Sequence, residues 1–504
     1  MSAGAPGWVR DAVFYQVFPD RFAASTRVPK PGPLEPWDAA PTIHGFKGGD
    51  LLGLAERLDE LVDLGVNAIY LNPIFTAASN HRYNAYDYFA VDPLLGGESA
   101  LRELLDTAHA RGVRVVLDGV FNHVGRGWWA FHHVLESGGM SPYRDWFYLD
   151  DDVLLGNDRV RAYDDDAPRG YRAWWGSPGL PKLRVENPQV RAHLMAVAEH
   201  WIRFGIDGWR LDVPQDIEDP TFWPEFRRRV RAINPDAYLI GEIWEPAPDW
   251  VAGDRFDAVM NYPLGIAILG FVGAGAIDSA VIERQSNYRR ELRPLDGHGF
   301  AAALEGLGRV YPPDVAAVQF NLIGSHDTPR AVTVMGGDAT RLRLASVLQM
   351  ALPGAPSVYY GDELAMPGTA DPGCRGAYPP VGAELGEAAT ATRSCVRAMI
   401  RARHRHPALR LGEVGVVAAG DRWVVLSRQA GMARAIVAVN AGEAPVEAAL
   451  PADLARELGP VDVPGIAGGR VSPDGLRLHL DPWGAVALVG DWPIFSAETG
   501  RPED

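Results

Sequence analysis

Eight short apolar runs, separated by stretches with helical spacing, recur over roughly the first 400 residues of this chain. They are Val13–Phe18, Asn67–Asn72, Val113–Asp118, the stretch Gly205–Val213, Tyr238–Glu242, Ala258–Asn261, Phe320–Gly324 and Ser357–Gly361. Alternating strands and helices lay strands parallel with helices on the outside. Eight is the number that closes into a (β/α)8 TIM barrel. The intervening segments carry helix punctuation: Leu51–Leu64 stops at Gly65, and Ser99–Ala110 is followed by Gly112. Pro188–Phe204 is amphipathic and leads straight into the fourth strand.

The rhythm breaks twice. Between Asp118 and Gly205 run about 80 residues with no regular strand–helix alternation, rich in Trp, Tyr, Gly and Asp, including Trp128-Trp129, Asp164-Asp165-Asp166 and Trp174-Trp175. An excursion of that length inside a compact domain is usually functional, and it reads as an inserted subdomain over the active face. Beyond about Arg410 come short strands with turns between them, Arg422–Ser427, Ala433–Val439 and Gly484–Leu488, the pattern of an all-β domain. The expected division is a first barrel part over 1–123, an insert over 124–185, a second barrel part over 186–410, a C-terminal antiparallel β-sandwich domain over 411–490 and a polar tail over 491–504.

Composition narrows the partners. Net charge is −16, with 48 Lys+Arg against 64 Asp+Glu. Such a surface disfavours nucleic acid and anionic lipid, which need basic partners. Cys374 and Cys395 are the two cysteines, neither in a CxxC motif, so no disulfide framework or cysteine zinc site is expected. Met1–Arg10 lacks the apolar core of a signal peptide, and no apolar run approaches membrane-spanning length. A soluble, cytoplasmic protein without membrane or nucleic-acid partners is the expectation.

The chemistry gathers at strand ends. Arg210 and Asp212 stand two apart on the fourth strand, so both face one way. A nearby guanidinium favours an ionised, oriented carboxylate, which is what a nucleophile requires. Asp118 opens Asp-Gly-Val-Phe-Asn-His123, Glu242 sits in Gly-Glu-Ile-Trp244, and Asp327 ends Gly-Ser-His-Asp327. Each acid alone fits a helix N-cap. Four of them, flanked by His123, Arg210 and His326, fit one site at the C-terminal mouth of a barrel. Crowded carboxylates cannot all ionise. A carboxylate nucleophile beside a carboxylic acid is the equipment of retaining glycoside hydrolysis. No phosphate loop, nucleotide fingerprint or His/Cys cluster competes with that reading.

From about residue 11 to 490 these segments resemble the conserved regions of the α-amylase superfamily (glycoside hydrolase family 13). The resemblance implies a (β/α)8 barrel with subdomain B after the third strand and a β-sandwich behind it. It implies Asp212 as nucleophile, Glu242 as general acid/base and Asp327 as the third carboxylate, with Arg210 holding the nucleophile. Asp118, His123 and His326 are implied to bind the sugar next to the cleaved bond or to support the acids. His81 and Tyr83, in Asn-His-Arg-Tyr83, are implied to line that subsite, and Trp244 to contact substrate beside the acid.

Phe14–Phe22, Leu180-Pro-Lys-Leu183 and Asn321–Arg330 resemble the neopullulanase–cyclomaltodextrinase–maltogenic amylase group. Asp371-Pro-Gly-Cys-Arg375 resembles a segment implying that Asp371 and Arg375 touch sugar further along, a loop salt bridge being the other reading of Arg375. The implied activity is hydrolysis of α-1,4 links, extending to α-1,6, in short or cyclic maltooligosaccharides, with some transfer to sugar. A glucanotransferase, a trehalose-synthase-type isomerase, and remotely a non-catalytic carbohydrate-binding homologue are the alternatives.

Three departures qualify the resemblance. The first barrel strand begins near Val13, so the group's N-terminal domain is absent and a domain-swapped dimer is not expected; monomer and dimer stay open. The loop Ala23–Val28 lacks the group's calcium ligands and Asp50 alone is a weak site, so no cofactor is required, with calcium left open. Pro214-Gln215-Asp216 and Glu245 differ from the group's usual residues on the acceptor side. The tryptophan pairs at 128–129 and 174–175 serve equally well as sugar platforms or as core of the insert. His109, His193 and His200 read as surface or packing residues, and His404 and His406 as solvated.

Overall fold

The computed structural model describes residues 4–163, 167–451, 458–472 and 475–490; Asp164–Asp166 and the tail 491–504 lie outside the described residues. The eight apolar runs form β1 (Phe14–Val17), β2 (Ala68–Leu71), β5 (Arg114–Gly119), β6 (Gly208–Leu211), β7 (Tyr238–Gly241), β8 (Ala258–Val259), β9 (Phe320–Leu322) and β10 (Ala355–Tyr359). A hairpin of β3 (Phe75–Ala77) and β4 (Ala85–Val91) intervenes after β2. The parallel sheet runs β8-β7-β6-β5-β2-β1-β10-β9, and a parallel bridge between Met260 and Phe320 closes it into a barrel.

Every residue of the barrel strands β1, β2, β6, β7, β9 and β10 is buried, as expected for a parallel sheet wrapped by helices. Phe14, Tyr70, Val116, Tyr238, Ile240, Met260 and Phe320 fill the interior. The barrel is therefore a packed core whose free surface for chemistry is its mouth. Gly208 is required where β6 meets β7: a Cβ there would stand 2.2 Å from the Tyr238 carbonyl oxygen.

The helix expected over Leu51–Leu64 is two helices, Leu51–Glu56 and Leu58–Leu64. Arg57 leaves helical backbone between them (φ −103°, ψ 7°) and turns its guanidinium onto Glu60 and the Pro379 carbonyl. Gly65 ends the second at φ 105°, the left-handed cap that only glycine adopts cheaply. His404 is not solvated as expected: its Nε2 meets the Gly65 carbonyl at 2.8 Å, and burial lowers its basicity.

In the insert, Trp128 is buried among Trp146, Phe147 and Tyr88, so that member of the first pair is core. Trp129 packs edge-on against Tyr143 and Trp146 at the rim. Leu183 N donates to Asn122 O and Lys182 bridges His123, which stitches the Leu-Pro-Lys-Leu segment to the end of β5.

The C-terminal strands are β11 (Glu413–Ala419), β12 (Trp423–Ala430), β13 (Ala433–Asn440), β14 (Val446–Ala449), β15 (Leu458–Val461), β16 (Gly469–Val471), β17 (Arg477–Leu480) and β18 (Ala485–Gly490). They form a sheet β11-β12-β13-β18-β15 and a sheet β14-β17-β16, with Val425, Ile436, Leu478, Leu480 and Leu488 packed between. Arg428, on β12, fastens this domain to the barrel. It is buried and donates to the carbonyl of Ala351 at the end of the helix Ala339–Ala351, whose neighbouring carbonyls Met350 and Leu352 accept from Arg403 within the barrel. Both satisfy acceptors that the helix itself leaves unpaired.

Candidate active site

The four acids converge at the mouth of the barrel, and Arg210 is the hub. Its Nη1 donates to Asp118 Oδ1 at 2.9 Å and to Asp212 Oδ1 at 3.0 Å, while Nη2 stands 2.9 Å from Glu242 Oε2. The last is an ion contact and not an aligned hydrogen bond. Arg210 and Asp118 are fully buried beneath the cleft, so they support the acids and do not reach its surface. Asp118 also accepts from the hydroxyls of Tyr70 at 2.5 Å and Tyr83 at 2.7 Å.

Asp212 follows β6 directly, and its N–H donates to Gly119 O at 3.0 Å, continuing the sheet ladder. With Oδ1 gripped by Arg210, Oδ2 is the oxygen left to attack. Val213 comes next in left-handed backbone (φ 36°, ψ 53°), a real outlier for a β-branched residue. The turn aims its N–H at Glu242 Oε2, 3.1 Å away. Strain after the nucleophile thus positions the second acid. Trp244 Nε1 lies 3.4 Å from Glu242 Oε1, and its ring stacks on Tyr262 at 3.5 Å and 7°.

Burial, then the Glu242 charge, push the Asp212 carboxyl well above its ordinary range against the pull of Arg210. Burial and Glu242 likewise push Asp327 up to about 7, with Arg375 and Arg210 opposing. Water reaches 32% of the Asp327 side chain, which moderates that cost. Crowding keeps a proton within this group near neutral pH, as acid catalysis requires.

The wall is neutral and polar. His326 Nδ1 faces Gln16 Nε2 at 2.8 Å; with that amide as donor, the proton sits on Nε2, directed to Tyr83 Oη at 2.6 Å and Asp327 Oδ2 at 3.0 Å. Tyr83 Oη also accepts from Asn72 Nδ2 at 2.9 Å. Burial, aided by Arg375, drops His81 to about 3 and His326 well below its usual value; burial also takes His123 to about 3. All three rings are uncharged at neutral pH. Asn122 Nδ2 approaches His123 Nδ1 at 3.3 Å, and the His123 ring lines the cleft.

Arg375 is a salt-bridge residue and a cleft residue at once. It meets Asp371 at 2.9 Å and Asp327 at 3.5 Å, its Nε donates to His326 O at 3.0 Å, and both Asp371 and Arg375 line the cleft. The cleft has a volume of about 810 Å³ and is lined by His81, Tyr83, His123, Trp174, Asp212, Glu242, Trp244 and Asp327 among others. The departing residues Gln215, Asp216 and Glu245 line it too. Gln16, Tyr70 and Asn72, missed in the sequence, sit on β1, on β2 and just past β2; their position near strand ends was the available signal. Arg284–Asn287, which form part of a wall, carried no signal at all.

Residues 16–429 match the α-amylase catalytic domain. The chain belongs to the α-amylase family. It is 40% identical over 457 residues to a cyclomaltodextrinase of Geobacillus thermopakistaniensis, covering 89% of this chain and 72% of that one. Relatives named cyclomaltodextrinase, neopullulanase and maltogenic amylase are longer: the chain spans 62% of one from Bacillus sp. and 65% of neopullulanase 2 from Thermoactinomyces vulgaris. Several solved structures match over their whole length. Ttha1563 from Thermus thermophilus is 47% identical with a TM-score of 0.85, covering 96% of this chain and 100% of that one. A cyclic α-maltosyl-(1→6)-maltose hydrolase from Arthrobacter globiformis, complexed with that sugar, is 37% identical with a TM-score of 0.84 and the same coverage.

Asp50, beside the loop after Phe22, accepts from Ser25 N and Gly53 N and pairs with Lys30 Nζ at 3.1 Å. An ammonium already neutralises that buried carboxylate, so the residues present do not fit a calcium cage. Among the described residues, no helix is long and apolar enough to cross a membrane.

Proposed function

We propose that this protein is a retaining α-glucan hydrolase that cleaves α-1,4 links, and α-1,6 links too, in short or cyclic maltooligosaccharides, with some transfer to sugar. The observation that carries the reading is the shared grip of Arg210 on Asp212 and Glu242 at the floor of the cleft. Glu242 gives its proton to the glycosidic oxygen as Asp212 Oδ2 attacks the anomeric carbon, so the C–O bond breaks as the glycosyl–Asp212 ester forms. Water, giving its proton back to Glu242, then opens the ester; a sugar hydroxyl in its place yields transfer. Tyr83, His123, His326 and Asp327 offer neutral and acidic partners for the hydroxyls of the unit being transferred.

The experiment is turnover of β-cyclodextrin and maltotriose by wild type, Asp212→Asn and Glu242→Gln, with the first-released anomer read by NMR. Loss of turnover in both variants and initial α-anomer are expected. Near wild-type rates in either variant, or β-anomer first, overturn the reading. The likeness to a cyclic tetrasaccharide hydrolase over its whole length adds that sugar as a second candidate substrate. A transfer-to-hydrolysis ratio far above one at low substrate would instead favour a glucanotransferase.

The same reading takes the protein as cytoplasmic, supported by a relative named intracellular maltogenic amylase. It works as a monomer or a dimer, which light scattering resolves, and it acts on sugar and not on nucleic acid or membrane. Catalysis needs no metal, since every step above uses side chains.

A further inference from the structure

Trp174 and Trp175 carry the cleft outward from the acids. The Trp174 ring lies on His123 at 4.9 Å and 16°, and Trp175 lies on Trp174 at 5.4 Å and 24°. Three near-parallel rings therefore climb from the buried floor to the mouth. Trp174 is fixed in this stack by its indole N–H, which donates to Asp216 Oδ2 at 2.6 Å, and Asp216 is itself held through its carbonyl by Lys182 Nζ. Among the described residues Trp175 has no such anchor. It is 83% exposed and sits in left-handed backbone (φ 51°, ψ 24°). A bulky side chain costs energy in that conformation, and exposure of this degree recovers little of it by burial. Stability does not explain the residue. Arg284, Gln285, Ser286 and Asn287 line the same cleft with polar groups suited to hydroxyls.

Resting on the α-glucan reading, we propose that Trp175 is a distal sugar platform, outside the units that flank the cleaved bond, which selects for longer or cyclic glucans. The ring face takes the C–H face of a sugar by stacking, a contact every pyranose offers. Maltotriose is too short to use it once its units fill the positions at the acids.

The test compares maltotriose, maltoheptaose and γ-cyclodextrin on wild type, Trp175→Phe and Trp175→Asn. Asparagine tolerates left-handed backbone, so the fold is preserved. With Trp175→Asn, KM for the two longer sugars should rise about tenfold, while maltotriose turnover and the melting temperature hold and Trp175→Phe restores binding. Unchanged KM on all three sugars, or an equal loss on maltotriose, overturns the platform. Calorimetric binding of maltoheptaose to Asp212→Asn, with and without Trp175→Asn, separates the two levels of the claim. No binding to the parent rejects the α-glucan reading; binding that Trp175→Asn leaves unchanged rejects the platform alone.

Discussion

Arg210 touches Glu242: Nη2 of the guanidinium stands 2.9 Å from Oε2 of the carboxylate. The same group holds Asp212 through Nη1, so one fixed plane of charge sets the relation between nucleophile and acid. Asp118 anchors the plane from below, and the hydroxyls of Tyr70 and Tyr83 anchor Asp118.

A lysine at position 210 keeps the charge and loses the fork. One ammonium cannot meet Asp118, Asp212 and Glu242 from one position. Arg210→Lys should lower kcat by about 10²–10³-fold with little change in KM, the loss expected when a preorganised electrostatic partner is removed. Steady-state kinetics on maltotriose check this. A change confined to KM would show that Arg210 binds substrate and does not orient the acids.

Asp212→Asn should lower kcat by about 10⁴-fold or more and yet stabilise the fold at neutral pH. The buried Asp212 carboxyl titrates above its unfolded value, raised by burial and by Glu242. The native pair of Asp212 and Glu242 then keeps between them a proton that the unfolded chain has released above about pH 4. Wild-type stability is therefore fully present below that pH and falls as pH rises through the raised native value. The variant has nothing to ionise there. Its melting temperature should exceed that of wild type by a margin that grows from about pH 4 to about pH 7, read by scanning calorimetry; a margin that shrinks over that range contradicts the assignment.

Tyr83→Phe removes one hydroxyl from a knot of three partners, Asp118, Asn72 and His326. Leaving buried polar groups unpaired costs about 1–3 kcal/mol. The variant should melt several degrees lower and lose kcat through a loosened His326. Asn72→Asp, which alters the same knot from another side, should not add its full effect to Tyr83→Phe.

Chelation should leave activity untouched. The Lys30 ammonium, 3.1 Å from Asp50, stands where a cation would be needed. EDTA treatment is expected to change neither kcat nor melting temperature. Lys30→Met strands a buried carboxylate and should cost about 3 kcal/mol. Loss of activity in EDTA, restored by calcium, would falsify this account of the loop.

Much of the fold was legible because the barrel strands are buried on both sides and so read as unbroken apolar runs. The cores of all eight were recognisable on that ground, with ends off by a residue or more. The break at Arg57 was not, since the helical apolar spacing runs straight through it and the cause is a guanidinium turned to Pro379, far away in sequence. His404 was misjudged for a similar reason: its partner is the carbonyl of Gly65. The tryptophan pairs could not be split by sequence at all. Trp128 is core and Trp175 is open to solvent, and neighbouring letters carry no record of which way the insert folds.

The reaction class was already written in the order of residues, because the acids are tied to strand ends and strand periodicity fixes which way Arg210 and Asp212 face. How those acids are held emerged with the closed barrel. Arg210 joins Asp118, Asp212 and Glu242 from three strands, and Tyr83 comes from a hairpin to meet His326, 243 residues away in the chain. Closure also puts Asp118 and Arg210 beneath the cleft while Trp175 stands at its edge. Hydrogen-bond direction and burial arise between segments that meet only when the barrel closes, so no local pattern can encode them.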